Sequence, residues 1–515
     1  MPKRLRKLLL ATLGLVCLGS FMACDLSILR FDPTLDVLPS SGKAPLEVTF
    51  DASASTGVGL VYEFDLGDGS LPARNTTGVY THVYGKTGTY DAKVTITSTE
   101  GDRAEEHSEI VVNGLATLND LKPDAWTQLF PEGSTTCSDG SDYSFFVAPG
   151  ETDKLVIDFQ GGGACWNDYS CSKGGTGTYA VNVYLTPEAF TYGDINGDGI
   201  KDVGGIYDRG HAKNPVKDWH HIYVSYCTGD VHWGNSVHTY TEIWENSAGQ
   251  DNVIHHKGSV NAKAVLNWVF ANYENPETIF VTGCSAGAYG AAMWTPHIAR
   301  QYPNADIRLM ADCGAGVVNE DFIADSLPIW KVFEGAWPSF IPALNPEGAN
   351  FDITESFIDD IYSAVGQYFP NIRLSQFNTM GDGNQIFYYA LMENNLEDED
   401  GDGYDEVVPS EATITTWLER MPESMDAIEA STSNYVSYLS MFDENADLSD
   451  GTAHCVLFRP EFYDIEEKGV PLSVWLNDFI NGEGASSVRP ESVPTYNDVY
   501  KPDPGTAPLG VLVKQ

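Results

Sequence analysis

Positive charge is scarce in this 515-residue chain: 29 lysines and arginines stand against 73 aspartates and glutamates, a net charge of −44. A field of that sign repels phosphate backbones, which excludes nucleic acid as a partner. It also repels a bare polyanion, so an acidic polysaccharide could be approached only with its charge screened by salt, bridged by divalent cations or neutralised. The simpler source of the imbalance is a surface adapted to salty water. Long apolar runs are missing too. Past the N-terminus none reaches 18 residues, which excludes a helical membrane span in the body of the chain. No Cys-x-x-Cys is matched by a second one, so the common zinc frameworks are absent. Histidine is sparse, with 11 in all. What is present is a 42% apolar and 12% aromatic content, enough for packed cores in about two to four domains rather than disorder.

The few cations cluster at the start. Lys3-Arg4-Leu5-Arg6-Lys7 precedes an apolar run at 8–18, and Phe21-Met22-Ala23-Cys24 follows; this order is that of a signal peptide, with a basic region, an apolar core too short to span a bilayer and a small-residue cleavage site. A cysteine directly after such a site resembles the lipobox of bacterial lipoproteins, with Phe21 and Met22 looser than its usual residues. Residues 1–23 are therefore expected to be a signal, and the mature chain to be exported to the cell envelope or outer surface with Cys24 as its lipid anchor, its only link to a membrane. Removing Lys3, Arg4, Arg6 and Lys7 with the signal takes the charge from −44 to −48. Cys17 leaves as well, and the seven cysteines beyond Cys24 suit disulfides in an exported protein. Seven is odd, so at least one thiol is left over.

From 31 to 113 short alternating strands are broken by turn residues, as in Leu46-Glu47-Val48-Thr49-Phe50 and Gly88-Thr89-Tyr90-Asp91-Ala92-Lys93-Val94, which reads as an all-β sandwich. Its Glu63-Phe64-Asp65-Leu66-Gly67-Asp68-Gly69, followed by Thr81-His82-Val83-Tyr84, resembles the PKD domain, and nothing in it looks catalytic. A linker at 114–125 leads to the remainder, 126–515. There, β-rich runs at 154–159, 221–226, 278–281 and 307–311 alternate with helical spacing at 260–273 and 288–302. This alternation predicts an α/β domain with a parallel sheet covered on both faces. Between 319 and 370 aromatic residues recur at interrupted helical spacing, which suits a helical cap over a pocket.

The chemistry centres on Ile279-Phe280-Val281-Thr282-Gly283-Cys284-Ser285-Ala286-Gly287. An apolar strand, Gly-x-Ser-x-Gly and a small-residue helix start read as a nucleophile elbow, with Ser285 exposed on a tight turn and backbone amides at a helix N-terminus behind it. A serine nucleophile needs a base, an acid to orient the base and oxyanion donors. In the order Ser, acid, His, scarcity decides the base: His297 is fixed in the helix leaving the elbow, and His454 remains. Counting does not choose the acid. Upstream, Gln160-Gly161-Gly162-Gly163-Ala164 follows a strand, and the amides of Gly162 and Gly163, with that of Ala286, are the expected oxyanion donors.

These segments, together with Thr136-Cys137-Ser138-Asp139-Gly140, Asn214-Pro215-Val216-Lys217-Asp218-Trp219, Tyr226-Cys227-Thr228-Gly229 and Ala453-His454-Cys455, resemble the pectin acetylesterase family, which includes the Notum carboxylesterases. The likeness runs from about 126 to 482 with its motifs in family order. It implies an α/β-hydrolase fold, a Ser-His-Asp triad and hydrolysis of carboxylic esters without a catalytic cofactor, on an acylated polysaccharide such as pectin; a lipid esterase and a non-catalytic binding lipoprotein are the alternatives. The family's Asp-x-x-Gln is matched by Asp382-Gly383-Asn384-Gln385, which makes Asp382 the acid, with Asp450 as the fallback. The resemblance and motif order suggest disulfides Cys165–Cys171 and Cys137–Cys227. Neighbouring strand ends suggest Cys284–Cys313, leaving Cys455 free. Ala164 and Thr228 depart from the family pattern in segments that line its substrate pocket.

Two acidic loops carry the front half of an EF-hand pattern, with oxygen ligands at positions 1, 3, 5 and 9 and glycine at 6: Asp194, Asn196, Asp198 and Asp202 in one, Asp398, Asp400, Asp402 and Glu406 in the other. Both lack the bidentate glutamate at position 12. They are expected to be structural Ca²⁺ loops stapling insertions in the hydrolase domain, not a catalytic metal site, since no histidine sits with them.

Overall fold

The computed structural model describes residues 30–172, 178–190, 203–243, 247–348, 357–397, 406–441, 454–482 and 484–499. It divides into two compact units, one made of residues up to 41 with 47–83 and 89–111, the other of 42–46, 84–88 and 112 onward.

The N-terminal strands form two antiparallel sheets. One holds Asp36–Leu38, Leu46–Asp51 and Val79–Tyr84; the other holds Ser41–Ala44, Arg103–Leu115, Gly88–Thr97, Val61–Asp65 and Ala73–Asn75. Alternation places Val48, Phe50, Phe64, Val94 and Ile96 inside, all fully buried, while their neighbours in sequence are more exposed, with Thr95 buried as the exception. That period-2 pattern is what a sandwich half-buried on each strand requires.

The second unit is built on eight strands: β1 (Thr127–Leu129), β2 (Phe145–Ala148), β3 (Lys154–Phe159), β4 (His220–Val224), β5 (Thr278–Cys284), β6 (Asp306–Asp312), β7 (Arg373–Thr379) and β8 (Tyr435–Ser440). Their order across the sheet is β8-β7-β6-β5-β3-β4-β2-β1. The six central and far strands run parallel, and β2 and β1 add antiparallel at one edge. The central strands read as continuous apolar runs because both faces are covered: Ile157 and Phe159 point into one core, Val156 into the other.

Crossover helices α1 (Gly258–Asn272), α2 (Ala286–Gln301), α3 (Glu320–Trp330), α4 (Phe357–Tyr368), α5 (Gly383–Met392) and α6 (Glu411–Ser431), with α7 (Leu472–Asn481), complete an α/β-hydrolase-like fold. The aromatic stretch after β6 is helical, as its spacing predicts, but broken: α3 is followed by 3₁₀ turns at Val332–Glu334 and Pro342–Leu344 before α4. Four of the eight strands were not among the runs read from sequence: β1 and β2 at the antiparallel edge, β7 and β8 at the other. β7 (RLSQFNT) and β8 (YVSYLS) bury Ser375, Gln376, Asn378 and Ser437 completely, and polar residues inside a sheet mask the apolar run that marks a buried strand. The linker is tied down rather than loose: Trp268 Nε1 on α1 donates to Ala116 O (2.8 Å), and Leu118 N donates to Asn272 Oδ1 (2.8 Å). Among the described residues no helix is long and apolar enough to cross a membrane.

Candidate active site

β5 ends at Cys284 and α2 begins at Ala286, leaving one residue to make the turn. Ser285 makes it in left-handed backbone, φ 55° and ψ −122°, a conformation that a non-glycine residue holds only where its surroundings enforce it. The enforcement is visible. Ser285 N donates to Asp312 O on β6 (2.9 Å), and Ala288 N donates to Ser285 O (2.9 Å). Gly287 lies so close to β3 that a Cβ there would fall 1.8 Å from Phe159 O; only glycine lets helix and strand approach this far.

His454 reaches the same place from the loop after β8. Its Nδ1–H donates to Asp382 Oδ2 at 2.7 Å, which leaves Nε2 as the acceptor of the ring. Asp382 is fully buried and caps α5: Oδ1 accepts Gln385 N (3.0 Å), and Oδ2 also accepts Gln385 Nε2 (2.9 Å). Gln385 is held in turn by Ala315 N, which donates to its Oε1 (2.8 Å). Asp382 and Gln385, the two ends of the Asp-x-x-Gln motif, thus act on one imidazole. Asp450 lies outside the described residues.

The glycine loop after β3 faces the elbow. Gly163 has φ 74°, and a Cβ there would fall 1.8 Å from Thr178 O. Gly162 O accepts Ala180 N (2.9 Å). In a trans peptide the N–H points opposite to the carbonyl, so the Gly163 amide is turned away from Ala180. Gly163, Ala286, Ser285 and His454 line one cavity, whereas Gly162 sits behind that wall against Tyr226. The cavity holds about 70 Å³, and its remaining walls are mostly apolar, with Trp166, Val231, Val318, Phe322, Trp330 and Trp417 among them and Gln385 a polar exception.

A second buried carboxylate underlies the site. Asp312 Oδ2, at the end of β6, accepts Val456 N (2.8 Å) and Leu457 N (2.9 Å), the amides just past His454 and Cys455. Burial pushes its carboxyl up to about 6, against the pull of those amides. One residue therefore holds the serine turn by its carbonyl and the histidine loop by its side chain, and no sequence pattern announced it.

The disulfides Cys137–Cys227 and Cys165–Cys171 form. The expected Cys284–Cys313 does not: Cys284 bonds Cys455, and among the described residues Cys313 is the buried cysteine outside a disulfide. The reason is register. β5 and β6 pair Cys284 with Asp312, so Cys313 lies one position beyond the end of the ladder rather than opposite Cys284, in left-handed backbone (φ 54°). Its sulfur instead accepts Cys455 N (3.2 Å), and burial raises its thiol well above the ordinary range. Of the expected calcium ligands, Asp194, Asn196, Asp198, Asp202, Asp398, Asp400 and Asp402 lie outside the described residues, as does Cys24; Glu406 sits in a two-residue strand paired with Leu396–Glu397.

Residues 130–337 match the family model for Pectinacetylesterase. The chain carries a pectinacetylesterase domain. That places it among the carboxylic-ester hydrolases, and residues 31–112 match the PKD domain in front of it. The pectinacetylesterase match contains the glycine loop and Ser285; Asp382 and His454 lie past its end. No curated protein matches the chain significantly. Among solved structures the chain is similar to the Wnt deacylase Notum from Drosophila, at 16% identity and a TM-score of 0.45 over 72% of this chain and 97% of that one. It is also similar to a structure of carbohydrate-binding modules from the β-sandwich superfamily, at 21% identity and a TM-score of 0.15 over 23% of this chain and 54% of that one. Likeness at those scores says nothing of this chain's chemistry.

Proposed function

We propose that the chain is an exported serine esterase that removes O-acyl groups, acetyl first among them, from a polysaccharide such as pectin. The observation that carries the reading is the 2.7 Å His454–Asp382 pair opening onto the cavity that Ser285 lines from its strained turn. In the mechanism, His454 Nε2 takes the Ser285 proton as Oγ attacks the ester carbonyl, and Asp382 fixes the tautomer and stabilises the imidazolium. The amides of Gly163 and Ala286 hold the oxyanion, while Gly162, the third donor expected from sequence, lies behind the cavity wall. The alcohol leaves with the proton from His454. Water, deprotonated by the same histidine, then releases the acid from Ser285. Side chains and backbone amides suffice for each step. The Pectinacetylesterase match supports the acetyl ester, and the signal-like N-terminus ending at Cys24 supports export on a lipid anchor.

The apolar cavity favours a second reading, an ester of a longer acyl chain. An acetyl group places one methyl in a cavity of about 70 Å³ whose walls are mostly apolar. Hydrolysis of p-nitrophenyl acetate, butyrate and octanoate by a soluble form beginning after Cys24 separates them. Activity greatest on acetate and absent from Ser285→Ala supports the deacetylase, a maximum at butyrate or octanoate the longer chain. No turnover of any of the three contradicts both.

A further inference from the structure

The glycine loop is held from behind by a tyrosine to which the esterase mechanism gives no role. Tyr226 follows β4 and is buried. Its hydroxyl donates to Gly163 O (2.9 Å) and accepts Val231 N (2.9 Å), while its own amide donates to Gln160 Oε1 (2.9 Å). Gly163 and Val231 are both cavity wall. At Val231 the chain is strained: Val231 and His232 follow one another at φ 49° and φ 67°, and for a β-branched residue that is a true outlier. His232, packed against the Tyr226 ring, adds a second anchor by donating Nε2–H to Gln160 O (2.9 Å). The peptide that Tyr226 grips is Gly163–Ala164, whose amide donates to Thr178 O (3.1 Å), and the peptide before it is held through Gly162 O by Ala180 N (2.9 Å), so Gly163 is fixed on both sides with its own amide opposite the Gly162 carbonyl. Strain kept at such a place is sustained by surroundings that over-determine it.

We propose that Tyr226 is a positioning residue for ester hydrolysis: its single hydroxyl sets the glycine loop that offers oxyanion donors and the strained turn at Val231 that walls the acyl cavity. The proposal rests on the serine-esterase reading above. It predicts that Tyr226 acts on the transition state, not on ground-state binding, because the tetrahedral oxyanion alone needs the amides in place.

The test is Tyr226→Phe beside wild type and Ser285→Ala, in the full chain after Cys24, with active sites counted by fluorophosphonate titration so that partial unfolding is normalised. The expected result is kcat on p-nitrophenyl acetate about 10- to 100-fold lower with KM within about 2-fold. A trifluoromethyl ketone, which forms a tetrahedral adduct on the serine, should bind more weakly by the same factor. An unchanged kcat per active site, a loss confined to KM, or unaltered ketone affinity overturns the proposal while Ser285→Ala remains inactive. Turnover surviving in Ser285→Ala overturns the parent reading instead, and the proposal with it. Should Tyr226→Phe not accumulate as folded protein, His232→Gln releases the same loop at Gln160 and carries the same expectation.

Discussion

At Asp382 two oxygens serve three donors: His454 Nδ1, Gln385 N and Gln385 Nε2. Replacing Asp382 by Asn puts an N–H where the imidazole must donate, so the ring is pushed to the wrong tautomer. By analogy with triads in general, kcat should fall about 10³- to 10⁴-fold with little change in KM; steady-state kinetics on p-nitrophenyl acetate checks it. A second prediction concerns stability. His256 is buried, donates Nδ1–H to Thr228 O and accepts the Tyr240 hydroxyl at Nε2, and burial lowers it to about 3. The unfolded chain takes up that proton near 6.5 and the fold does not. The stability is thus fully present above about pH 6.5 and is lost as pH falls toward 3, by about 2 kcal/mol between 6.5 and 5. Asp230 and Asp312, each raised to about 6, work in the opposite sense between about 6 and 3.8. His256→Gln should therefore show a shallower fall in melting temperature from pH 7 to 5 than wild type. Sequence made Ser285 and His454 legible, one by its motif and the other because histidines are few. Asp382 needed the family resemblance, since carboxylates are too common here for order to choose one. Asp312 and Tyr226 stayed hidden because their roles lie in what their hydrogen bonds hold, and no spacing encodes that.

The elements that carry these residues are joined by one covalent tie. Cys284 precedes the serine and Cys455 follows the histidine, 171 residues apart. Closing a loop of that length removes about 5 kcal/mol of unfolded-chain entropy in the simple model, an upper estimate. Cys284→Ser with Cys455→Ser should lower denaturant stability by up to that amount. If Asp312 and Asp382 keep the histidine loop in place, the folded fraction should retain most of its turnover, measured per titrated site. The pairing also marks where sequence reading of elements stopped. Neighbouring strand ends suggested Cys313, and a one-residue register offset, invisible without the sheet, excluded it. The central strands and their helices were readable because burial on both faces leaves apolar runs. β7 and β8, lined inside with serine, glutamine and asparagine, were not.

For the whole molecule the dominant quantity is the charge of −44. On a polyanionic substrate such as acetylated polygalacturonate, shortening the Debye length from about 30 Å at 0.01 M to about 8 Å at 0.15 M salt should raise kcat/KM several-fold. On neutral p-nitrophenyl acetate it should leave kcat/KM within about 2-fold. A rate on the polyanion that falls with salt would mean a local basic binding face that the net charge conceals. The all-β character of the N-terminal part and the α/β character of the rest were legible at this scale because each has its own periodicity, 2 in the first and alternating strand and helix in the last.

The most direct measurement is covalent labelling of the intact protein by a fluorophosphonate, with the modified residue located by mass spectrometry in wild type, Ser285→Ala and His454→Ala. The account predicts one equivalent on Ser285 in wild type, none in Ser285→Ala, and labelling slowed at least about 100-fold in His454→Ala, since the serine is activated only by its base. Label on another residue, or equal rates with and without His454, would contradict it.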